Sequence, residues 1–152
     1  MDLDLSALYR VGMDAETLDD ATLLEAFETA TLPLAAWDHR GHVRVIWIYL
    51  ERHGLAEATD RMRSGLQHFV AAHGVPVGPT MGYHETLTVA WARVTEATRR
   101  HYGAEVDSRA FCDAHPQLMV KTLLRVFYSR PHILSDEARG RFVEPDLAPL
   151  PA

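Results

Sequence analysis

Three helix-period stripes, each closed by a glycine, constrain this chain more than any other feature. Positions 39, 42, 46, 49 and 53 alternate in threes and fours and stop at Gly54. Positions 58, 62, 66, 69 and 70 repeat the pattern and stop at Gly74. Positions 84, 87, 91, 94 and 98 repeat it again before Gly103. A period near 3.6 places each set on one helix face, and a glycine just past the last periodic position is a helix stop. The spacing predicts helices over about 36–53, 55–73 and from 83 or 84 to 103. The breaker-rich stretch 75–82, with Pro76, Gly78, Pro79 and Gly82, separates the last two.

Weaker signals fill the flanks. Leu23, Leu24 and Phe27 behind Asp19 and Asp20 predict a helix over 20–30, with the acidic pair suited to its N-terminus; Pro33 ends it. A short helix over 108–114, one over 117–128 and a last segment over 135–143 follow. Residues 1–18 read as a short helix or irregular arm, and 144–152 as an extended tail. Only 43–50 reads as a strand when taken alone. The expected fold is all-α: one domain over 1–152, an up-down helical bundle with additional C-terminal helices.

Composition narrows the setting. Cys112 is the only cysteine, so no internal disulfide forms, which fits a reducing compartment. The first residues lack the order of a secretory signal, and no apolar run reaches the roughly 18–20 residues of a membrane span; a soluble cytoplasmic protein is expected. The net charge is −6, with Lys121 the single lysine and the basic residues spread along the chain. Nucleic acid, which needs clustered cations, is disfavoured as a partner.

Nine histidines are more than such a composition leads one to expect. A short connection makes the helices over 36–53 and 55–73 antiparallel neighbours, so the helix opening near 84 runs parallel to the one opening near 36. Both starts then lie at one end of the bundle. His39 and His42, three residues apart, share a face there, and His84 opens the other helix. Three inward imidazoles with an open fourth position are the pattern of a catalytic zinc site, and iron or copper also fits it. The alternatives are a hydrogen-bonded polar cluster or no contact among the three.

Glu28, near the end of a first helix expected to run antiparallel to the second, is the candidate fourth ligand or general base; the alternative is an exposed glutamate. Trp37, Tyr83 and Trp91 are candidate pocket walls or plain core. Thr86 and Thr88 are either polar lining or helix-start hydroxyls. The motif that begins His84-Glu85 has Thr88 where a zinc-protease helix has its second histidine, so that reading fails. No phosphate-binding glycine loop or nucleophile elbow is present.

The segments Trp37-Asp38-His39-Arg40-Gly41-His42, Trp47-Ile48-Tyr49-Leu50 and Gly82-Tyr83-His84-Glu85-Thr86-Leu87-Thr88 with Trp91 resemble a family of small bacterial all-helical proteins of uncharacterised activity, with a W-x-H-x-x-H … Y-H-E-T-x-T-x-x-W signature. Ser135-Asp136-Glu137-Ala138-Arg139 and Pro145-Asp146-Leu147 match its ending. The resemblance covers roughly 22–150. It implies that the histidine-bearing segments belong to one shared design, and it supplies no substrate.

Three function classes follow. The first is a metal-dependent enzyme, hydrolytic or oxidative, acting on a small molecule at His39, His42 and His84. The second is a module that binds a metal or small ligand without turnover. The third is an interaction domain whose histidines form a hydrogen-bond cluster.

Overall fold

The computed structural model describes residues 15–152. The helices are α1 (Asp20–Glu28), α2 (His39–Arg52), α3 (Leu55–Ala72), α4 (Glu85–Tyr102), α5 (Ser108–Ala114), α6 (Arg130–Ile133) and α7 (Asp136–Gly140), with 3-10 turns at Ala15–Thr17, Leu34–Ala36, Pro116–Met119 and Lys121–Val126. Among the described residues there is no strand, only an isolated bridge between Gly78 and Met81. The chain is all-α, with the principal helices packed as a bundle.

The stretch that could pass for a strand is the middle helix. Residues 43–50 are buried without a break, and a helix apolar on every side belongs in an interior. Accordingly α2 packs against α1, α3, α4 and α5. The apolar core forms one cluster that draws on all of them and reaches Ala138 and Val143 in the C-terminal segment.

Arg44 sits inside this helix, only 1 % exposed. Its guanidinium donates to Ser108 Oγ (2.7 Å), the Ala15 carbonyl (2.8 Å) and the Leu18 carbonyl (2.8 Å), with the Asp20 carboxylate at 3.4 Å. A buried charge persists only when it is paired and hydrogen-bonded. Arg44 therefore fastens the chain entering α1 and the start of α5 to α2. Residues 15–18 are thus part of the packed body; the rest of the expected N-terminal arm lies outside the described residues.

Side-chain caps fix where helices begin: Asp19 accepts from the Thr22 amide, Asp38 from Gly41, Asp107 from Ala110 and Ser135 from Ala138. Gly74 and Gly103 follow α3 and α4 with φ of 61° and 87°, a region that side chains with a Cβ rarely enter.

Two expectations need correction. The Glu51–Arg99 ion pair and the His39–Trp91 ring contact put α4 parallel to α2 as expected. However, Asp20 pairs with Arg44, while the end of α1 meets both Trp37, through Phe27, and Tyr49, through Glu28, so α1 crosses α2 rather than running antiparallel along it. The 3-10 turn at 34–36 and its flanking residues give the chain room to return before α2.

The helix expected over 117–128 is instead two 3-10 turns separated by Val120 in an extended conformation. There the Leu118 carbonyl faces His39. Beyond it, 144–152 carries no helix, and Leu147 donates to the Phe127 carbonyl at 2.9 Å.

Candidate functional site

The three sequence-predicted ligands do not converge. The His39 ring packs edge-on against Trp91 at 4.5 Å between centroids. Trp91 lies seven residues into α4 from His84, about 10 Å along a helix. The start of α2 is therefore level with the second and third turns of α4 rather than with its cap. Among the described residues, no group of three or more histidine, cysteine or carboxylate side chains is placed to hold a metal ion.

The ring nitrogens are engaged in packing. His84 caps α4: its Nδ1 accepts from the Leu87 amide at 3.1 Å, so the proton sits on Nε2, 2.8 Å from the Ile133 carbonyl. Neither nitrogen keeps a free lone pair for a metal. His39 Nε2 lies 2.7 Å from the Leu118 carbonyl and donates to it, since a carbonyl only accepts.

His42 is buried with Nε2 unpartnered among the described residues. Burial, with the neighbouring His39 adding to it, pushes its pKa down to about 3. The His39 and His42 centroids stand 6.4 Å apart, wider than the roughly 5 Å of two imidazoles sharing a tetrahedral ion. These residues do not fit a metal centre as arranged.

The remaining candidates also resolve into packing. Glu28 accepts from Tyr49 Oη at 2.8 Å and lines a wide groove of about 480 Å³ with Glu57, Asp60, Arg61 and His68. Its partner Tyr49 lies two turns further along α2 than His42. Trp37 stacks on Phe27 at 4.8 Å and tilts against Phe69 and His42. Tyr83 donates to Glu85, whose carboxylate also takes Arg63. Thr88 donates back to the His84 carbonyl at 2.9 Å, a helix-start hydroxyl bond, and buried Trp91 covers His39.

What the signature residues share is a seam. Thr86 Oγ1 donates to the Arg141 carbonyl and accepts from the Val143 amide. Arg139 reaches the carbonyls of Gly78, Pro79, Met81 and Tyr83. Asp146 accepts from the Ser129 amide and hydroxyl. Together with His39 and His84, these bonds hold the irregular C-terminal third against α2 and α4.

That seam encloses a site that the sequence reading missed. A groove of about 350 Å³ lies where the first turn of α4 meets the chain from 121 to 134. Leu87, Leu124, Ile133 and Leu134 supply apolar lining, and Thr80, Thr122 and Tyr128 add hydroxyls. Lys121, Arg125 and Arg130 supply three cations, and no carboxylate lines it. His84 stands directly behind this wall, since its two bonds hold Leu87 and Ile133.

The cations there are unlike most others in the chain. Arg40, Arg44, Arg61, Arg63, Arg99, Arg109 and Arg141 all meet carboxylates, while Arg93 lies over Phe142 and Arg139 holds carbonyls. Lys121, Arg125 and Arg130 make no ion pair among the described residues. The sequence does hold a signal, since Lys121, Arg125 and Arg130 are three cations within ten residues that contain no acid. Nothing in the periodicity showed that they share a groove.

Comparisons with known protein families, curated proteins and solved structures give no match to this chain. No helix among the described residues is long and apolar enough to cross a membrane.

Proposed function

We propose that the protein is a helical binding module for a small anionic molecule, held in the groove between α4 and the C-terminal third. The observation that carries this reading is the meeting of three cations without carboxylate partners on an apolar, partly enclosed wall. In a chain of net charge −6, an uncompensated positive cleft concentrates anions locally. Its volume lies at the small end of ligand pockets, which are mostly apolar with a few placed polar groups.

Binding without turnover is favoured over catalysis. The lining contains no histidine, cysteine or carboxylate, so none of those groups serves there as a general base or nucleophile. Tyr128 Oη already donates to the Val143 carbonyl. A metal-dependent enzyme at His39, His42 and His84 is the reading that this one displaces, because His84 has both ring nitrogens occupied.

The test is calorimetric titration with 4-ethylbenzenesulfonate, an apolar body with one negative charge that is small enough for the groove. Saturable one-to-one binding is expected, weakened tenfold or more in the triple variant Lys121→Gln, Arg125→Gln, Arg130→Gln at unchanged Tm. The double variant Arg52→Gln, Arg100→Gln removes cations elsewhere and should leave binding intact. Equal binding by the triple variant, or no saturable binding to the wild-type protein, overturns the proposal.

A further inference from the structure

Resting on that reading of the groove, we infer that its ligand is a short single-headed amphipath: one anionic head on an apolar tail of about eight carbons. Three observations define the class. Lys121, Arg125 and Arg130 line the same groove as Leu87, Leu124, Ile133 and Leu134. The site therefore offers both cations and apolar surface, which suits a molecule with one charged end and an apolar body. Neither inorganic phosphate nor a neutral alkane satisfies both.

Volume sets the length. At roughly 30 Å³ for each water-sized group, about 350 Å³ admits close to twelve heavy atoms. Octanoate has ten; hexadecanoate has eighteen and would leave much of its tail in water. The floor is also open at one side, since Leu134 is 42 % exposed. An apolar residue exposed inside a positively charged cleft is covered when a tail lies over it.

The head is held by long, solvent-facing side chains rather than by a buried clamp: Lys121, Arg125 and Arg130 are all exposed. Attraction by exposed cations weakens as salt rises. The tail contributes through burial, which at about 0.8 kcal/mol per methylene is close to fourfold in affinity for each added carbon. The ligand is therefore recognised by the length of its tail as much as by its charge.

The experiment is calorimetric titration of the full chain with butanoate, hexanoate, octanoate, decanoate and hexadecanoate below their aggregation limits. Octyl phosphate, octanol and inorganic phosphate are titrated alongside. Affinity should rise several-fold per added carbon to about twelve heavy atoms, then level off or fall by hexadecanoate. Octanol should bind more weakly than octanoate and be indifferent to the triple cation change. Inorganic phosphate should not bind measurably.

Leu134→Asp, at an exposed position that folding tolerates, should weaken octanoate at least tenfold by placing a negative charge beside the tail. Octyl phosphate should bind as octanoate does and weaken likewise in the triple variant; octyl phosphate binding that ignores the cation change overturns the anionic-head assignment. Binding that depends on the cations but not on tail length overturns the amphipath and leaves the anion site standing. If neither the fatty acids nor the ethylbenzenesulfonate binds, both readings fall.

Discussion

Replacing Arg44 by methionine tests how the bundle is assembled, because this guanidinium joins three segments distant in sequence. Arg44→Met removes the donors to the Ala15 and Leu18 carbonyls. Ser108 Oγ and its amide keep Asp20 as a partner, so the hydroxyl is not stranded. The buried Leu18 carbonyl is, at a cost of about 1–3 kcal/mol, while the Ala15 carbonyl keeps the Leu18 amide at 3.1 Å. Asp20, partly exposed, also loses its cation. Methionine recovers some of the packing of the arginine stem.

The net loss is about 3 kcal/mol, at the low end of the roughly 3–5 expected for breaking a buried pair. For a chain of 152 residues, each kcal/mol moves Tm by roughly 2–4 °C, which gives a fall of about 6–12 °C. Urea unfolding followed by circular dichroism measures it, with Arg44→Lys falling between the two because one ammonium cannot reach every acceptor. A loss below about 1 kcal/mol for Arg44→Met would show that the Leu18 carbonyl finds another donor, and that Arg44 does not fasten the entry of α1.

Other outcomes follow from the same structure. His42 titrates near 3 when folded against 6.5 when free; the unfolded chain therefore binds the extra proton first, and stability falls as pH drops below 6.5. By pH 4.5 the loss from this ring is about 3 kcal/mol, so His42→Leu should flatten the acid limb of a pH–stability curve, and an unchanged limb would refute this. Gly65→Ala should destabilise by about 1–3 kcal/mol although alanine is the better helix former, because its Cβ would come within 2.5 Å of the Phe27 ring, itself stacked on Trp37; chemical denaturation decides the sign. Arg139→Ala frees the carbonyls of residues 78–83 and should raise amide hydrogen exchange across that loop tenfold or more while leaving α2 protected.

The periodic helices were legible in the sequence, and the seams between them were not. Stripes ending at Gly54, Gly74 and Gly103 placed α2, α3 and α4 to within a few residues. They also gave the parallel course of α2 and α4, because short connections leave few alternatives. Periodicity carries no information on how far one helix slides along another. That offset sets His39 beside Trp91 rather than beside His84.

The histidines illustrate the same boundary. Their place on buried faces was readable, but the partners of His39 and His84 are the backbone carbonyls of Leu118 and Ile133. Every residue carries such a carbonyl, so no side-chain pattern marks the ones that matter. Arg44 read as an interruption of an apolar run; its solution, Ser108 with two carbonyls, comes from segments far away in sequence. The groove was hidden for a related reason: Lys121 and Arg125 fall on a 3-10 turn where a single α-helix was expected, and Arg130 opens a separate short helix.

The most direct measurement on the central claim is a two-dimensional nitrogen–proton spectrum of the labelled protein titrated with octanoate. The groove reading predicts saturating shifts confined to the amides around Leu87, Leu124, Ile133 and Leu134, the residues that form its apolar wall. Shifts centred instead on the groove of Glu28 and Tyr49, or spread evenly over the bundle, would contradict it.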